Sequence, residues 1–283
     1  MTSGSPPHGL DLVVMGGLTV DRFTDGSAAP GGAVLHITRA LAVRGTRVGI
    51  ATTAGPEPEA QAGLAELRDL AFAVEASASP ASITFGHAET ASGRTLVLER
   101  RGGQVAATGA LAAAAVLFAP VADEIPTSSL VVGRGAIRGA ILQGWLRSTG
   151  EGEPVRPLSI AAMDSGLIAA LGALDLVIGS SEDLQADGAD PLAQLQALRA
   201  TLGDRPPLVV TDGRHGPWLD DGSGPRHLPL GQQVDGVSTI GAGDMFAAFM
   251  LLALVRSGGP SLLAAATSAI DQVAEVLQSR WQF

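Results

Sequence analysis

The stretch Val237-Ser238-Thr239-Ile240-Gly241-Ala242-Gly243-Asp244, followed by residues 245–255, decides the fold of this chain. Residues 245–255 are all apolar and contain neither glycine nor proline, which predicts a buried helix. Gly241 and Gly243 lie one residue apart, and glycine permits backbone conformations that other residues avoid. The stretch therefore predicts a tight glycine turn that leads directly into a buried helix.

The start of this helix is also a predicted anion site. The first N–H groups of a helix have no partner within the helix, and the helix dipole adds positive potential there. These amides belong to Gly241, Ala242 and Gly243. Asp244 places a carboxylate in the same turn and has two interpretations. It is either a helix-start residue that contributes roughly 0.3–1 kcal/mol, or a general base beside a phosphoryl group held by the amides.

Composition limits the possible functions. The 283 residues are 46% hydrophobic and 16% charged, which indicates a globular chain of one large or two small domains. The net charge of −10 argues against nucleic acid as a partner. The chain has no cysteine, and all 18 basic residues are arginine. Thiol catalysis, Schiff-base chemistry and a P-loop lysine are therefore excluded.

Hydropathy predicts no membrane partner. Residues 1–10 lack a basic segment followed by an apolar run, so no signal peptide is predicted. The uninterrupted apolar runs are shorter than the roughly 20 residues that a membrane-spanning helix needs. We expect a cytoplasmic protein.

Strand and helix patterns alternate along most of the chain, which indicates an α/β fold with a mostly parallel sheet covered by helices. Short runs within residues 71–101 predict a small antiparallel flap, and residues 218–237 a late hairpin region. With no repeat and no clear linker, residues 1–283 are expected to form one domain. Strands are predicted at residues 12–15, 47–53, 129–132, 158–163, 174–178 and 207–211, and helices at 33–43, 58–70, 105–117, 191–202, 241–257 and 260–278.

Polar or glycine-rich turns follow several of these strands. Ligands of open α/β sheets bind at the carboxyl ends of the strands. We therefore expect these turns to converge with Gly241–Asp244. They are Asp21, Gly31-Gly32, Ser180-Ser181-Glu182-Asp183 and Thr211-Asp212-Gly213.

The order of these segments resembles the ribokinase-like (PfkB) carbohydrate kinase family over nearly the whole chain, and Gly241–Asp244 matches its signature segment. Only nine residues separate Asp21 from Gly31, which is similar to the short-lid, inositol-kinase-like and uncharacterised bacterial members. Residues 82–85 and the run Gln143-Gly144-Trp145-Leu146-Arg147 are similar to the same subgroup. The resemblance implies a three-layer sandwich with a reduced β flap.

The resemblance also implies an activity and its residues. The chain would transfer the γ-phosphoryl group of ATP to a hydroxyl of a sugar, an inositol-like polyol or a nucleoside, with Mg²⁺, as a monomer or homodimer. Asp244 would be the base, and Gly241, Ala242 and Gly243 the anion hole. The remaining roles would be acceptor binding by Asp21, Gly31, Gly32 and His36, nucleotide binding by Thr211, Gly213 and Ser180, and metal organisation by Asp183 and Glu182.

Departures from the family pattern leave an alternative open. Ser238 and His36 stand where the family usually has Asp and Asn, and Ser180-x-x-Asp183 replaces N-x-x-E. A catalytically weak or inactive sugar- or nucleotide-binding sensor on the same fold is therefore the second hypothesis. A Rossmann dehydrogenase is disfavoured, because position 246 is Phe where the third glycine is needed.

Overall fold

The computed structural model describes residues 9–90, 93–105, 111–133, 135–230, 239–256 and 261–279. Its strands form two sheets, one of nine strands and one of five. The large sheet is parallel from its β5 edge to β12, and β13 and β14 extend it in antiparallel fashion. In spatial order it consists of β14 (Arg226–His227), β13 (Trp218–Asp220), β12 (Leu208–Thr211), β11 (Leu176–Ser180), β9 (Ile137–Ile141), β8 (Ala113–Phe118), β1 (Leu10–Met15), β4 (Val48–Ala54) and β5 (Ala73–Ala78).

Helices cover both faces of the large sheet, so the architecture is a three-layer α/β sandwich. Along β1, Leu12 and Val14 face one apolar cluster, whereas Val13 and Met15 face the other. This alternation is the two-residue period of a strand that is buried on both faces. Helices α1 (Ala33–Ala42), α2 (Pro58–Leu70), α5 (Ala242–Arg256) and α6 (Leu262–Ser279) pack into the first cluster, and α3 (Ser165–Leu171) and α4 (Pro191–Leu202) into the second.

The small sheet is assembled from three separate parts of the chain. In β2, Val20 is fully buried, and the strand follows β1 after only residues 16–18. The small sheet is therefore attached to the large one by a very short link. Its strands in spatial order are β10 (Glu153–Pro154), β7 (Gly93–Arg100), β6 (Ile83–Thr90), β2 (Thr19–Arg22) and β3 (Ala28–Gly31).

The fold class predicted from the sequence is confirmed, and the predicted helices over residues 58–70 and 191–202 have the observed bounds. The flap differs from its prediction over residues 71–101. Ala73–Ala78 is an edge strand of the large sheet, while β2, β3 and β10 add to the small sheet. Residues 233–237 of the predicted hairpin region lie outside the described part of the chain.

Three secondary-structure predictions are wrong. Ala113–Phe118, within the predicted helix over residues 105–117, is the strand between β1 and β9, and residues 106–110 are not among those described. An apolar run that is buried on both faces carries no period to separate strand from helix. The strands predicted at residues 129–132 and 158–163 are instead short 3₁₀ helices, Thr127–Val131 and Ile160–Ala162.

Among the described residues, no helix is both long enough and apolar enough to cross a membrane.

Candidate active site

Asp244 lies in the first turn of α5, and its side chain is half-buried. Desolvation by the surrounding protein raises the pKa of its carboxyl group to about 7. The positive charge of Arg147 lowers this pKa and the negative charge of Asp183 raises it, so both lie within electrostatic reach. A carboxyl group that titrates near neutral pH is suited to general-base chemistry.

The glycine turn before α5 has the expected conformation. Gly241 has φ +78°, in the left-handed region that favours glycine. The Ala242 N–H donates to the Thr239 carbonyl oxygen at 3.0 Å. The predicted anion hole thus has one of its amides already engaged in the free protein. Gly243 occupies the first turn of the helix, where an N–H has no intrahelical acceptor. Ser238 lies outside the described residues.

His36 connects this turn to α1. A methyl group at Gly241 would lie only 2.6 Å from His36 Cγ, so the imidazole packs directly on the glycine backbone. His36 projects from the helix that begins after Gly32, which has φ +97° and occupies the N-cap position. The helix that carries His36, one of the predicted acceptor residues, therefore contacts the predicted anion hole.

Asp21 and Gly31 are neighbours across the β2–β3 pair. Asp21 lies within β2 of the small sheet, not in a turn after a strand of the large sheet as predicted. A Cβ atom at Gly31 would overlap Asp21 Oδ2, so a side chain at this position would have to displace the carboxylate. Asp21 Oδ1 accepts a hydrogen bond from Thr19 Oγ1 at 3.3 Å and lies 3.6 Å from His87 Nε2.

Asp183 is buried and both of its carboxylate oxygens accept hydrogen bonds from protein groups. Arg147 Nη2 and Nε lie 2.9 and 3.0 Å from Oδ1, and Ser180 Oγ donates to Oδ2 at 2.7 Å. The Ser180 hydroxyl, predicted to serve the nucleotide, donates to Asp183 in the free protein. Each carboxylate oxygen of Asp183 therefore already has a donor in the free protein, and its predicted role in metal organisation remains a prediction.

A cavity of about 380 Å³ opens beside this network, at the carboxyl ends of β11 and β12. Glu182 is exposed on its wall, which also includes Gly213, a residue with φ +47°. Asp212 Oδ1 accepts a hydrogen bond from Ser181 Oγ at 2.8 Å, which ties the two loops together. The cavity is lined by Ser181, Glu182, Gln185, Ala189, Asp212, Gly213, Arg214 and His215.

Thr211, also predicted to bind the nucleotide, ends β12 next to this cavity, and its hydroxyl lies 3.4 Å from the Gly179 carbonyl oxygen. Within the described part of the chain, no group of three or more histidine or acidic side chains is arranged to hold a metal ion. The exposed Glu182 carboxylate fits a Mg²⁺ ion that arrives with phosphate groups, since Mg²⁺ keeps several waters and needs only one or two protein carboxylates.

Glu124 is a buried residue that the sequence patterns did not reveal. Its carboxylate accepts hydrogen bonds from the backbone N–H groups of Gly17, Val121 and Ala122 at 2.7–3.0 Å. Desolvation raises the pKa of this carboxyl group. Glu124 joins the loop after β8 to the link between β1 and β2, and so fixes where the small sheet begins.

The structure thus brings most of the predicted residues to one edge of the large sheet. His36 packs on Gly241, and Asp183 and Arg147 act on Asp244. A half-buried carboxylate beside helix N-terminal amides, with the Arg147–Asp183 ion pair within electrostatic reach, fits a phosphotransferase that acts on a hydroxyl group.

Comparison with known proteins identifies the family. The chain belongs to the pfkB family of carbohydrate kinases, whose profile matches residues 17–270, and is therefore a carbohydrate kinase. A search among curated proteins finds no significant match.

Solved structures share the fold at low sequence identity. A pyrophosphate-dependent kinase in the ribokinase family, complexed with a pyrophosphate analog and myo-inositol, is similar with a TM-score of 0.76 and 18% identity, over 94% of this chain and 95% of that chain. Aminoimidazole riboside kinase from Salmonella enterica gives 0.68 and 21%, over 94% and 93%. Ribokinase from Thermotoga maritima gives 0.65 and 15%, over 95% and 93%.

Proposed function

We propose that the chain transfers the γ-phosphoryl group of ATP to a hydroxyl of a sugar or an inositol-like polyol, with Asp244 as the general base. The observation that carries this proposal is the position of Asp244. Its carboxyl group has a pKa of about 7 and lies in the same helical turn as Gly243. Base and amide donors are thus held in a fixed relation by one rigid element.

In this mechanism the acceptor hydroxyl is held on the Asp21 side, and its proton passes to Asp244 as the oxygen attacks the γ-phosphorus. The bond from this phosphorus to the β–γ bridging oxygen breaks, and ADP leaves. The amides of Gly241 and Gly243 stabilise negative charge on the transferred phosphoryl group. The carboxylate form of Asp244 is required, and near pH 7 a substantial share of the molecules carries it. Catalysis then rests on positioning and charge stabilisation, as phosphoryl transfer needs.

Asp21 supports the acceptor role through its surroundings. Its carboxylate is held between Thr19 and Gly31 on the small sheet. Carboxylate oxygens are strong acceptors for the hydroxyl groups of a polyol. One kinase of similar fold is complexed with myo-inositol, so an inositol-like acceptor is the first to test.

The cavity beside Glu182 supports ATP as the donor. Its size suits part of a nucleotide, and it lies at the carboxyl ends of neighbouring parallel strands, where nucleotides bind in such sheets. Mg²⁺ would enter with the donor, near Glu182, and would neutralise charge on the donor phosphates.

Product formation tests the proposal. The protein is incubated with Mg²⁺, either ATP or pyrophosphate, and a panel of sugars, inositols and nucleosides, and phosphorylated products are measured by ³¹P NMR and mass spectrometry. We expect one acceptor class to be phosphorylated with ATP and the reaction to fail in Asp244→Asn. Product with pyrophosphate alone would overturn the donor assignment.

The sensor hypothesis predicts a different result in the same experiment. Ser180 and Arg147 engage Asp183 in the free protein, which favours a weakened metal segment. A sensor would show ligand-induced thermal stabilisation by a panel member without any product with either donor.

A further inference from the structure

Arg147 donates a hydrogen bond to Asp183, and its charge acts on Asp244, the proposed base. Arg147 follows β9 at the carboxyl end of the large sheet, beside β11, which leads into Asp183. Nε and Nη2 of its guanidinium both point to Asp183 Oδ1. With its oxygen turned to the guanidinium, the Gln143 amide accepts from Arg147 Nη2 at 2.6 Å and from Nη1 at 2.5 Å. The arginine is therefore held from two sides.

The ion pair leaves part of the guanidinium unused. A guanidinium has five N–H donors, and the contacts with Asp183 and Gln143 engage four of them, which leaves one donor of Nη1 for a ligand. Here Asp183 offers Arg147 a single oxygen, because Ser180 Oγ donates to the other. The Arg147 side chain is 20% exposed, so it is not sealed in the interior.

The charges around the site require a cation. Asp244, Asp183, Glu182 and Asp212 are four acidic residues near the place where an anionic donor must bind. The chain contains no lysine that could offset them. Arg147 is the cation whose charge acts on Asp244. Arg214 and His215 line the donor cavity itself, whereas Arg147 lies within electrostatic reach of the proposed base.

We propose that Arg147 is a phosphate-binding residue, and that its guanidinium bridges Asp183 and the phosphoryl group that is transferred. Asp183 is then a positioning residue that aims Arg147, and not a metal ligand. This inference rests on the proposed function for the identity of the ligand. The sequence pattern predicts only amides and carboxylates around the transferred phosphoryl group, and Arg147 adds a side-chain cation to them.

The proposal predicts that Arg147 matters only for ligands that carry a γ-phosphate group. AMP-PNP, a non-hydrolysable analogue of ATP, has this group, and ADP does not. Losing a hydrogen bond to a charged group should weaken binding by about 10- to 100-fold. We expect Arg147→Gln to weaken AMP-PNP to this extent and to leave ADP within about twofold, and Arg147→Lys to restore part of the loss.

Binding is measured by isothermal titration calorimetry with Mg²⁺, so the unknown acceptor is not needed. Arg138→Gln is the matched control, because Arg138 lies near the start of β9, away from the site, and donates to the Leu130 and Ala173 carbonyl oxygens. Since Arg147→Gln leaves Asp183 without its cation, the double variant Arg147→Gln/Asp183→Asn is measured too. It should fold and show the same selective loss of AMP-PNP.

The possible outcomes distinguish the two proposals. Equal weakening of AMP-PNP and ADP, or no weakening of either, would overturn the role of Arg147 and leave the kinase proposal standing. If the unaltered protein bound neither AMP-PNP nor pyrophosphate, both proposals would fall.

Discussion

His36 on α1 packs against the backbone of Gly241, at the turn that opens α5. This contact joins the helix that follows the predicted acceptor-binding glycines to the predicted anion hole. It also explains why residue 241 has to be glycine for two independent reasons, its positive φ and the absence of space for a methyl group.

Gly241→Ala is expected to abolish most phosphoryl transfer. The left-handed conformation costs a non-glycine residue roughly 1–2 kcal/mol, and the methyl group must also displace His36 or the turn. Gly45→Ala is the matched control, since Gly45 has φ +65° but open space around it. Both variants should lose similar stability from backbone strain, so initial rates at matched folded fractions isolate the effect of the contact. Equal rates for the two variants would show that the contact between residue 241 and His36 does not affect phosphoryl transfer.

Asp244→Asn should fold and lose roughly 10²–10⁴ in turnover, as expected for removing a general base. The rate of product formation at saturating substrate measures this. Asp69→Asn, an exposed change on α2, serves as the control and should retain full activity. Near-normal turnover in Asp244→Asn would reject the assigned mechanism.

The raised pKa of Asp244 makes both activity and stability depend on pH. Activity needs the carboxylate, so kcat should rise with pH and level off above about 7. Stability has the opposite trend: the folded state holds this proton more tightly than the unfolded state, whose Asp pKa is about 3.9. This contribution to the free energy of unfolding is therefore present at low pH and is lost between about pH 4 and 7. Urea unfolding of the parent protein and Asp244→Asn across this range should show the difference.

Asp21→Asn should raise the KM for the acceptor by about tenfold or more, because a charged hydrogen-bond acceptor is replaced by a neutral one. The KM for the donor should change little. Asp25→Asn is the control, because Asp25 lies in the exposed β2–β3 turn and accepts from Ser27 N–H and Oγ. If the two variants gave the same acceptor KM, Asp21 would not contact the acceptor.

Glu124→Gln should lower the free energy of unfolding by about 1–3 kcal/mol, because an amide group cannot accept at both positions from the surrounding N–H groups. Thermal and urea unfolding measure this, with Glu153→Gln as the control, since Glu153 is exposed on the short edge strand β10. An unchanged unfolding midpoint in Glu124→Gln would show that the carboxylate is not needed to join the two loops.

The sequence was sufficient for the layered fold because helix ends carry strong local signals. Pro58 and Pro191 open α2 and α4 at the first helical position, and both helices have the bounds that the sequence predicts. The central strand Ala113–Phe118 had no such signal, because alanine favours helix locally and only burial between β1 and β9 makes it a strand.

The site could be predicted only where its residues share a short segment. Gly241–Asp244 form one turn, so their chemistry is readable from the order of residues. The Arg147–Asp183 pair joins positions 36 residues apart, and the Gly17–Glu124 hydrogen bond joins positions 107 apart. Such pairs depend on which strands become neighbours in the sheet, which no local pattern encodes.

The burial of α5 determines which part of the molecule can move during turnover. Every residue from Met245 to Leu252 is buried in the core, so the carboxylate of Asp244 is anchored to the least deformable part of the protein. We therefore expect any closure over a bound acceptor to come from the five-stranded sheet and not from α5. The link at residues 16–18 between the two sheets is held in place by the hydrogen bond from the Gly17 N–H to Glu124.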